Sequence, residues 1–318
     1  MYSDLKIHFL NVGHGDCTVI RHPSGRLSVI DTSNGEKVDN RTVEAKLGGD
    51  VMKRALYNVY RALGSSARRA LKEAAGVDLE LTNPVDFLNR EYPNQQVFRY
   101  IQTHPEMDHM RGLAALDSKI VNFWDTGNDR DCEPRESDKQ DWKAYRRFRS
   151  EDRRKVYVRG SRCAYFGCHA DGTGEGDRIA ILSPSTALTR ECDESEDWNN
   201  MSLVLKVTHA GTSIILGGDA GDIAWQNMLA NVRPQLTCTV LKAAHHGRLS
   251  GYNADALRQM GPLVAILSIG EDCEHEAYEE YKKHCKHVWS TYECGNITLT
   301  INAQGGIVYN FANPLAVA

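Results

Sequence analysis

The sequence predicts a sheet-rich α/β fold, and three observations carry that prediction. Short apolar strands cluster at both ends of the chain, strand alternates with helix in its second half, and no internal repeat or low-complexity linker divides it. With 318 residues and 41% hydrophobic content, the chain is long enough for one large domain with a sizeable buried core. The expected organisation is a single domain over 1–318. It carries a helical insertion at about 36–95 and a charged insertion at about 128–155.

The elements follow in order. LKIHFLN, CTVIRH and LSVIDTS read as strands, separated by the turns GHGD (13–16) and PSGR (23–26). From about Arg41 to Ala75 the pattern turns helical, with Val51, Ala55, Val59, Ala62 and Leu63 about one helical turn apart. Asn83-Pro84 reads as a break, and VFRYIQ (97–102) as the next strand. MRGLAALDS is then a short helix, IVNFWDT a strand, and WKAYRRFR a helix within the charged stretch. IAILSPS, SLVLKV and SIILGGDA are strands, followed by a helix at 221–229 and the strand TVLKAA. ADALRQM, LVAILS and EAYEEYKKH alternate helix, strand, helix, and NITLTI with GIVYNF closes the chain as two strands about a turn.

Composition sets limits on function. A formal net charge of −4 gives the whole molecule no strong pull on nucleic acid, so a polyanionic substrate needs a local basic patch. No run of 18 apolar residues occurs, and MYSDLKIHFLNVGHGD lacks the apolar core of a signal peptide. Nine scattered cysteines without paired spacing fit a reduced chain better than a disulfide framework. The expectation is a cytoplasmic protein that does not enter the membrane.

The chemistry concentrates at strand ends. THPEMDH (103–109) packs two histidines, a glutamate and an aspartate into seven positions directly after a strand. Imidazole suits zinc, manganese and iron, and carboxylates favour harder ions. A helix-capping Asp108 and two hydrogen-bonded histidines would account for the stretch equally well in isolation. Three further stretches tip the balance toward a metal: Asp31 ends LSVI, Asp219 ends SIILGG, and His245 and His246 end TVLKAA.

The order NVGHGD, VIDTS, THPEMDH, NNMSLVL, ILGGDA, LKAAHHG resembles the metallo-β-lactamase-fold hydrolases. Within them it most resembles the soluble hydrolase domain of the DNA-uptake protein ComEC and its free-standing relatives. The resemblance covers roughly residues 5–310 apart from the insertions, and it is more specific for fold than for substrate. It implies an αββα sandwich with two divalent metal ions, zinc or manganese. His104 and Glu106 would hold one ion, Asp108 and His109 the other, and Asp219 would bridge them. One of the His245–His246 pair would complete the second site; His245 is taken as the ligand and His246, with Asp108 and Lys242, as catalytic. Asp16 and Asp31 would orient ligands by hydrogen bonds, and Lys242 would meet an anionic substrate or simply snorkel from its strand end.

The pattern departs from the superfamily twice. Glu106 stands where histidine is common and where the ComEC branch has aspartate, which makes the site harder and more negative. Asn199 and Asn200 stand where many relatives carry a further histidine, so the first ion would be loosely held. The implied reaction is hydrolysis, with a metal-bridging hydroxide attacking phosphorus or carbonyl carbon while two ions about 3.5–4 Å apart neutralise developing charge.

The run from Lys143 to Lys155 is basic, with Tyr145 and Phe148 interleaved. This pattern matches a nucleic-acid-contacting helix through Lys143, Arg146 and Arg147, or a solvated face neutralised by Glu133, Glu136, Asp138 and Asp141. CAYFGCH (163–169), HCKH (284–287) and Cys273 match no familiar zinc module. The leading expectation is a phosphodiesterase or nuclease. The alternatives are a hydrolase of a small ester, lactone or phosphocholine ester, and an effector subunit of a larger assembly, defence among its settings, whose site is latent until a partner docks; the apolar tail FANPLAVA suits such docking.

Overall fold

The computed structural model describes residues 3–34, 81–166, 176–269 and 276–313. The expected helix over 41–75, residues 167–169, Cys273 and the tail from 314 onward lie outside the described residues.

Two sheets form the centre. The first holds β1 (Leu5–Phe9), β2 (Thr18–Arg21), β3 (Leu27–Ile30), β4 (Val97–Ile101), β5 (Ile120–Asp125), β6 (Arg154–Val156), β13 (Ile297–Ile301) and β14 (Ile307–Phe311). Their order is β14-β13-β1-β2-β3-β4-β5-β6, antiparallel from β14 to β3 and parallel from β3 to β6. The second sheet runs β12 (His287–Ser290), β11 (Val264–Leu267), β10 (Val240–Lys242), β9 (Thr212–Leu216), β8 (Val204–His209), β7 (Ile179–Ser183). Here β9 to β12 are parallel, and β7 to β9 antiparallel.

Period-two alternation sorts the apolar side chains into three cores. Leu5, Ile7, Ile30, Ile101 and Trp124 face Ile181, Leu205, Ile214, Val240 and Ile266 between the sheets. Their strand neighbours Val29, Tyr100 and Phe123 point outward against Phe87 and Leu88 of α1 (Pro84–Glu91), Leu113 and Leu116 of α2 (Leu113–Leu116), and Trp142, Tyr145 and Phe148 of α3 (Lys139–Phe148). On the far side, Leu241 and Ala265 pack against α4 (Thr186–Ser195), α5 (Asp222–Asn231), α6 (Ala254–Met260) and Tyr281 of α7 (Tyr278–Lys282). The layering is α, β, β, α. Each fully buried Leu, Ile or Phe stabilises by about 1.5–3 kcal/mol relative to exposure. Stability therefore resides in these cores rather than in the polar site.

Several local readings change. Asn83-Pro84 opens a helix, while the pattern it was expected to break lies outside the described residues: the Asn83 side chain accepts from the Val85 and Asp86 N–H groups, and proline stands in the first turn. Asparagine caps and an early proline are the common start of a helix, since proline lacks only an N–H that would be orphaned there. The helices α4 and α8 (Thr291–Cys294) and the strands β6 and β12 were not expected. β6 is three residues long and polar, so its pairing with β5 leaves no period-two signal. No helix among the described residues is long and apolar enough to cross a membrane.

Candidate metal centre

The site lies where strands from both sheets end. β3 runs into Asp31, β4 into Thr103 and His104, β9 into Asp219, and β10 into His245 and His246, while the β1–β2 turn carries Asp16. Parallel strands in register bring such C-terminal ends together. Gly15 (φ 141°) lets the β1–β2 turn come close, since a Cβ there would stand 2.6 Å from the Asp108 carbonyl oxygen. Asp16 N donates to that oxygen at 3.3 Å. Asp31 (φ 55°), His245 (φ 49°) and His246 (φ 61°) are left-handed non-glycine residues. That backbone costs of order 1–3 kcal/mol per residue, and here it coincides with the polar cluster.

Asp219 is the hub. Its buried carboxylate is approached by four imidazole Nε2 atoms: His109 at 3.2 Å, His246 at 3.5 Å, His245 at 3.7 Å and His104 at 3.9 Å. The outer nitrogen of each ring is held from behind. His109 Nδ1 lies 2.7 Å from Asp31 Oδ2, and His245 Nδ1 lies 2.8 Å from Ser250 Oγ. His246 Nδ1 lies 3.5 Å from Ser268 Oγ and 3.7 Å from Asp16 Oδ2. His104 Nδ1 lies 3.0 Å from Thr103 Oγ1, whose own hydrogen goes to Asp31 Oδ2 at 2.6 Å. A hydroxyl has one hydrogen to give, so Thr103 accepts from His104 Nδ1–H and the Nε2 lone pair faces the centre.

Three atoms there are buried without a hydrogen-bond partner: His104 Nε2, His109 Nε2 and Asp219 Oδ1. The last two stand 3.2 Å apart without being aligned for a bond. Leaving such groups unsatisfied costs about 1–3 kcal/mol each; a cation among them would satisfy all three. Asp16, His109, Asp219 and His246 each offer a ligand atom within 4.8 Å of the others. Asp108 Oδ2 adds itself 3.3 Å from His246 Nε2. This imidazole and carboxylate set fits a divalent metal.

The electrostatics agree. Burial alone would raise the Asp219 carboxyl, but His109 and His246 outweigh it and hold the group well below the ordinary range. Burial would lower His109, yet Asp219 and Asp31 push it well above its usual value. Against burial, Asp219, Asp108 and Asp16 push His246 up to about 9. His104, by contrast, is pushed down to about 3 by burial and the neighbouring His109.

Other expected site residues take other partners. Glu106 Oε1 faces Arg130 Nη1 at 3.2 Å. Lys242 is buried, with its ammonium 2.7 Å from Asp16 Oδ1, which also accepts from Ser268 Oγ. Asn200 caps α5, accepting from Ala224 N at 2.9 Å, while its amide donates to Asp197 at 2.7 Å. Asn199 Oδ1 is buried without a hydrogen-bond partner. His246, more deeply buried than His245, stands with the cluster. Thr103, Ser250 and Ser268 were not foreseen. Thr103 and Ser268 follow apolar strands, the same signal that marked Asp31 and Asp219.

In the charged insertion, Tyr145 and Phe148 are fully buried, because their spacing with Trp142 turns them into the outer core. They do not interleave with the basic residues at the surface. Arg147 meets Asp117 at 2.5 Å and Glu151 at 3.1 Å, Arg153 meets Asp117 at 2.9 Å, and Arg154 meets Asp125 at 2.7 Å. Arg146 is exposed, 3.7 Å from Asp131, and Lys143 is exposed. Cys163, His284, Cys285 and His287 join no metal-sized grouping among the described residues.

Two facing sheets between helices, with a histidine–aspartate cluster at the strand ends, decide the architecture. It is an αββα sandwich, the layering that the resemblance to the metallo-β-lactamase-fold hydrolases implied. No protein-family model matches the chain. Over 92 residues it is 35% identical to ComE operon protein 3 of Bacillus subtilis (strain 168), a stretch that is 29% of this chain and 11% of that protein. The chain thus corresponds to a small part of that relative. Among solved structures, the metallo-β-lactamase-fold protein YhfI from Bacillus subtilis is similar with a TM-score of 0.45 and 9% identity, covering 96% of this chain and 100% of that one. CmlA, a diiron β-hydroxylase from Streptomyces venezuelae, gives 0.42 and 11% over 85% of this chain and 45% of its own. A diphosphatase of the PhnP family gives 0.37 and 9% over 89% and 94%. All three likenesses are distant.

Proposed function

We propose that the chain is a metal-dependent hydrolase acting on a phosphodiester, with nucleic acid as the leading substrate class. One observation carries the reading: four imidazole Nε2 atoms surround the buried Asp219 carboxylate, and three atoms of that ring have no partner. Asp108, His109, Asp219 and His246 would hold one ion with Asp16 beside them. His104 and His245 would hold a second, sharing Asp219. A bound divalent ion supplies Lewis acidity and a water acidic enough to attack at neutral pH.

The protein's own groups do the rest. Asp31 and Thr103 fix the tautomers of His109 and His104, so lone pairs rather than N–H bonds face inward. Lys242 and Ser268 hold Asp16 in place and satisfy its charge. The share of carboxylates (Asp16, Asp108, Asp219) favours a harder ion such as Mn²⁺ beside Zn²⁺, and such ions suit phosphate oxygens.

The test is metal analysis of the purified chain, followed by a panel of phosphodiester, ester and thioester substrates with Zn²⁺ and with Mn²⁺. Metal-dependent phosphodiester cleavage, abolished by chelation, is the expected result. Cleavage confined to carboxylic esters would replace this substrate class, and failure to bind either ion would overturn the reading.

A further inference from the structure

We propose that Arg130 is the anion receptor of this site, delivered to its rim by the charged insertion; this rests on the hydrolase reading above. Glu106 lies between His104 and Asp108, whose side chains both reach the centre. Its backbone is tied into the same turn, Glu106 N donating to His104 O at 3.0 Å and His109 N to Glu106 O at 3.1 Å. A side chain that pairs with Glu106 is thereby tied to the turn that carries His104, Asp108 and His109. That side chain is Arg130, with Nη1 3.2 Å from Glu106 Oε1.

The guanidinium is presented rather than consumed. It lies over the Trp198 ring, 5.3 Å from the centroid, and Trp198 directly precedes the Asn199–Asn200 pair. Its side chain is 22% exposed and that of Glu106 35%, so solvent and ligand reach both. Arginine carries five N–H donors in a planar fork, of which the Glu106 contact engages one nitrogen. A phosphate readily takes two parallel donors from such a fork, and a stacked guanidinium gives them at little entropic cost.

The insertion is built to hold this residue still. Arg130 N donates to Asn128 Oδ1 at 3.1 Å, and its carbonyl accepts from Arg149 Nη1 at 2.8 Å. Asn128 is itself buried, donating to Asp125 Oδ1 at 3.0 Å and to the α3 residue Tyr145 at 2.8 Å. Arg149 also donates to the Asn128 carbonyl. The arginines that made the stretch look like a nucleic-acid helix are in part the scaffold of one loop. Whereas Arg147, Arg153 and Arg154 pair within the insertion or with Asp117 and Asp125, Arg130 pairs with the metal motif itself.

The experiment uses the full chain loaded with Mn²⁺ or Zn²⁺ and inorganic phosphate as probe, with affinity read by calorimetry and metal content measured in parallel. Arg130→Ala is expected to bind phosphate about ten- to a hundredfold more weakly, the range for a lost charged hydrogen bond, at unchanged metal content. Arg130→Lys keeps the charge but loses fork and stacking, and is expected to recover only a small part. Unchanged phosphate affinity in Arg130→Ala would overturn the proposal, as would full rescue by lysine. A loss of metal parallel to the loss of phosphate would also overturn it, because Arg130 would then be supporting Glu106 rather than receiving an anion. If phosphate binding depends on Arg130 but no phosphodiester is cleaved, the receptor stands and the hydrolase reading fails.

Discussion

Asp31 Oδ2 lies 2.7 Å from His109 Nδ1, and the same oxygen accepts from Thr103 Oγ1, which in turn holds His104. One buried carboxylate thereby sets the orientation of both histidines of THPEMDH. Asp31→Ala is expected to lower metal affinity about 10- to 100-fold, the usual cost of losing an orienting partner. Competition titration against a chelating dye measures it, with circular dichroism as the folding control. Unchanged affinity in a folded variant would show that the rings are aimed by packing alone.

The two adjacent histidines are expected to differ. His246 is buried among Asp16, Asp108 and Asp219, whereas the His245 side chain is 17% exposed and approaches Asp219 alone of these. His246→Ala should lose more metal per chain than His245→Ala, by elemental analysis after dialysis. Equal or reversed losses would move the ligand role to His245.

For a polynucleotide substrate, the exposed Lys143 and Arg146 should contribute more than Arg147, which is engaged by Asp117 and Glu151. Each phosphate contact removed flattens the plot of log affinity against log salt by about 0.7–0.9 units. Lys143→Ala with Arg146→Ala should therefore flatten it by nearly two such steps, and Arg147→Ala by less than one. A slope untouched by all three would remove this face of α3 from any nucleic-acid interface.

Acid should destabilise the fold through two histidines away from the metal centre. Burial pushes His8 and His22 down to about 3 from an ordinary 6.5. Below 6.5 the unfolded chain takes up protons that the folded chain refuses, so stability is full above that value and falls as pH drops toward 3. Urea unfolding at a series of pH values should show this decline. In His22→Gln it should be shallower, since one of the two groups no longer titrates; an identical slope would exclude His22 as a source.

Much of the fold was legible because burial imposes periodicity. LSVI, VFRYI and SIIL declare strands, and ADALRQM coincides with α6. Legibility failed where the deciding interaction was local chemistry or a partner distant in sequence. Asn83-Pro84 starts α1 because a side chain caps two N–H groups. Tyr145 and Phe148 read as surface aromatics until α3 found the outer face of the first sheet.

What the sequence by itself determined is the set of polar residues at strand ends: Asp31, His104, Asp108, His109, Asp219 and the His245–His246 pair. Those residues interrupt apolar runs, and a polar group that ends a buried strand needs a partner. Only the tertiary structure decided the partners. Asp16 closes with Lys242 and Ser268, 226 and 252 positions further on, and Glu106 meets Arg130 across a turn and a charged loop. Ion pairs and hydrogen bonds act over a few ångströms in space and leave no period along the chain. The two facing sheets, which set those separations, therefore choose the partners.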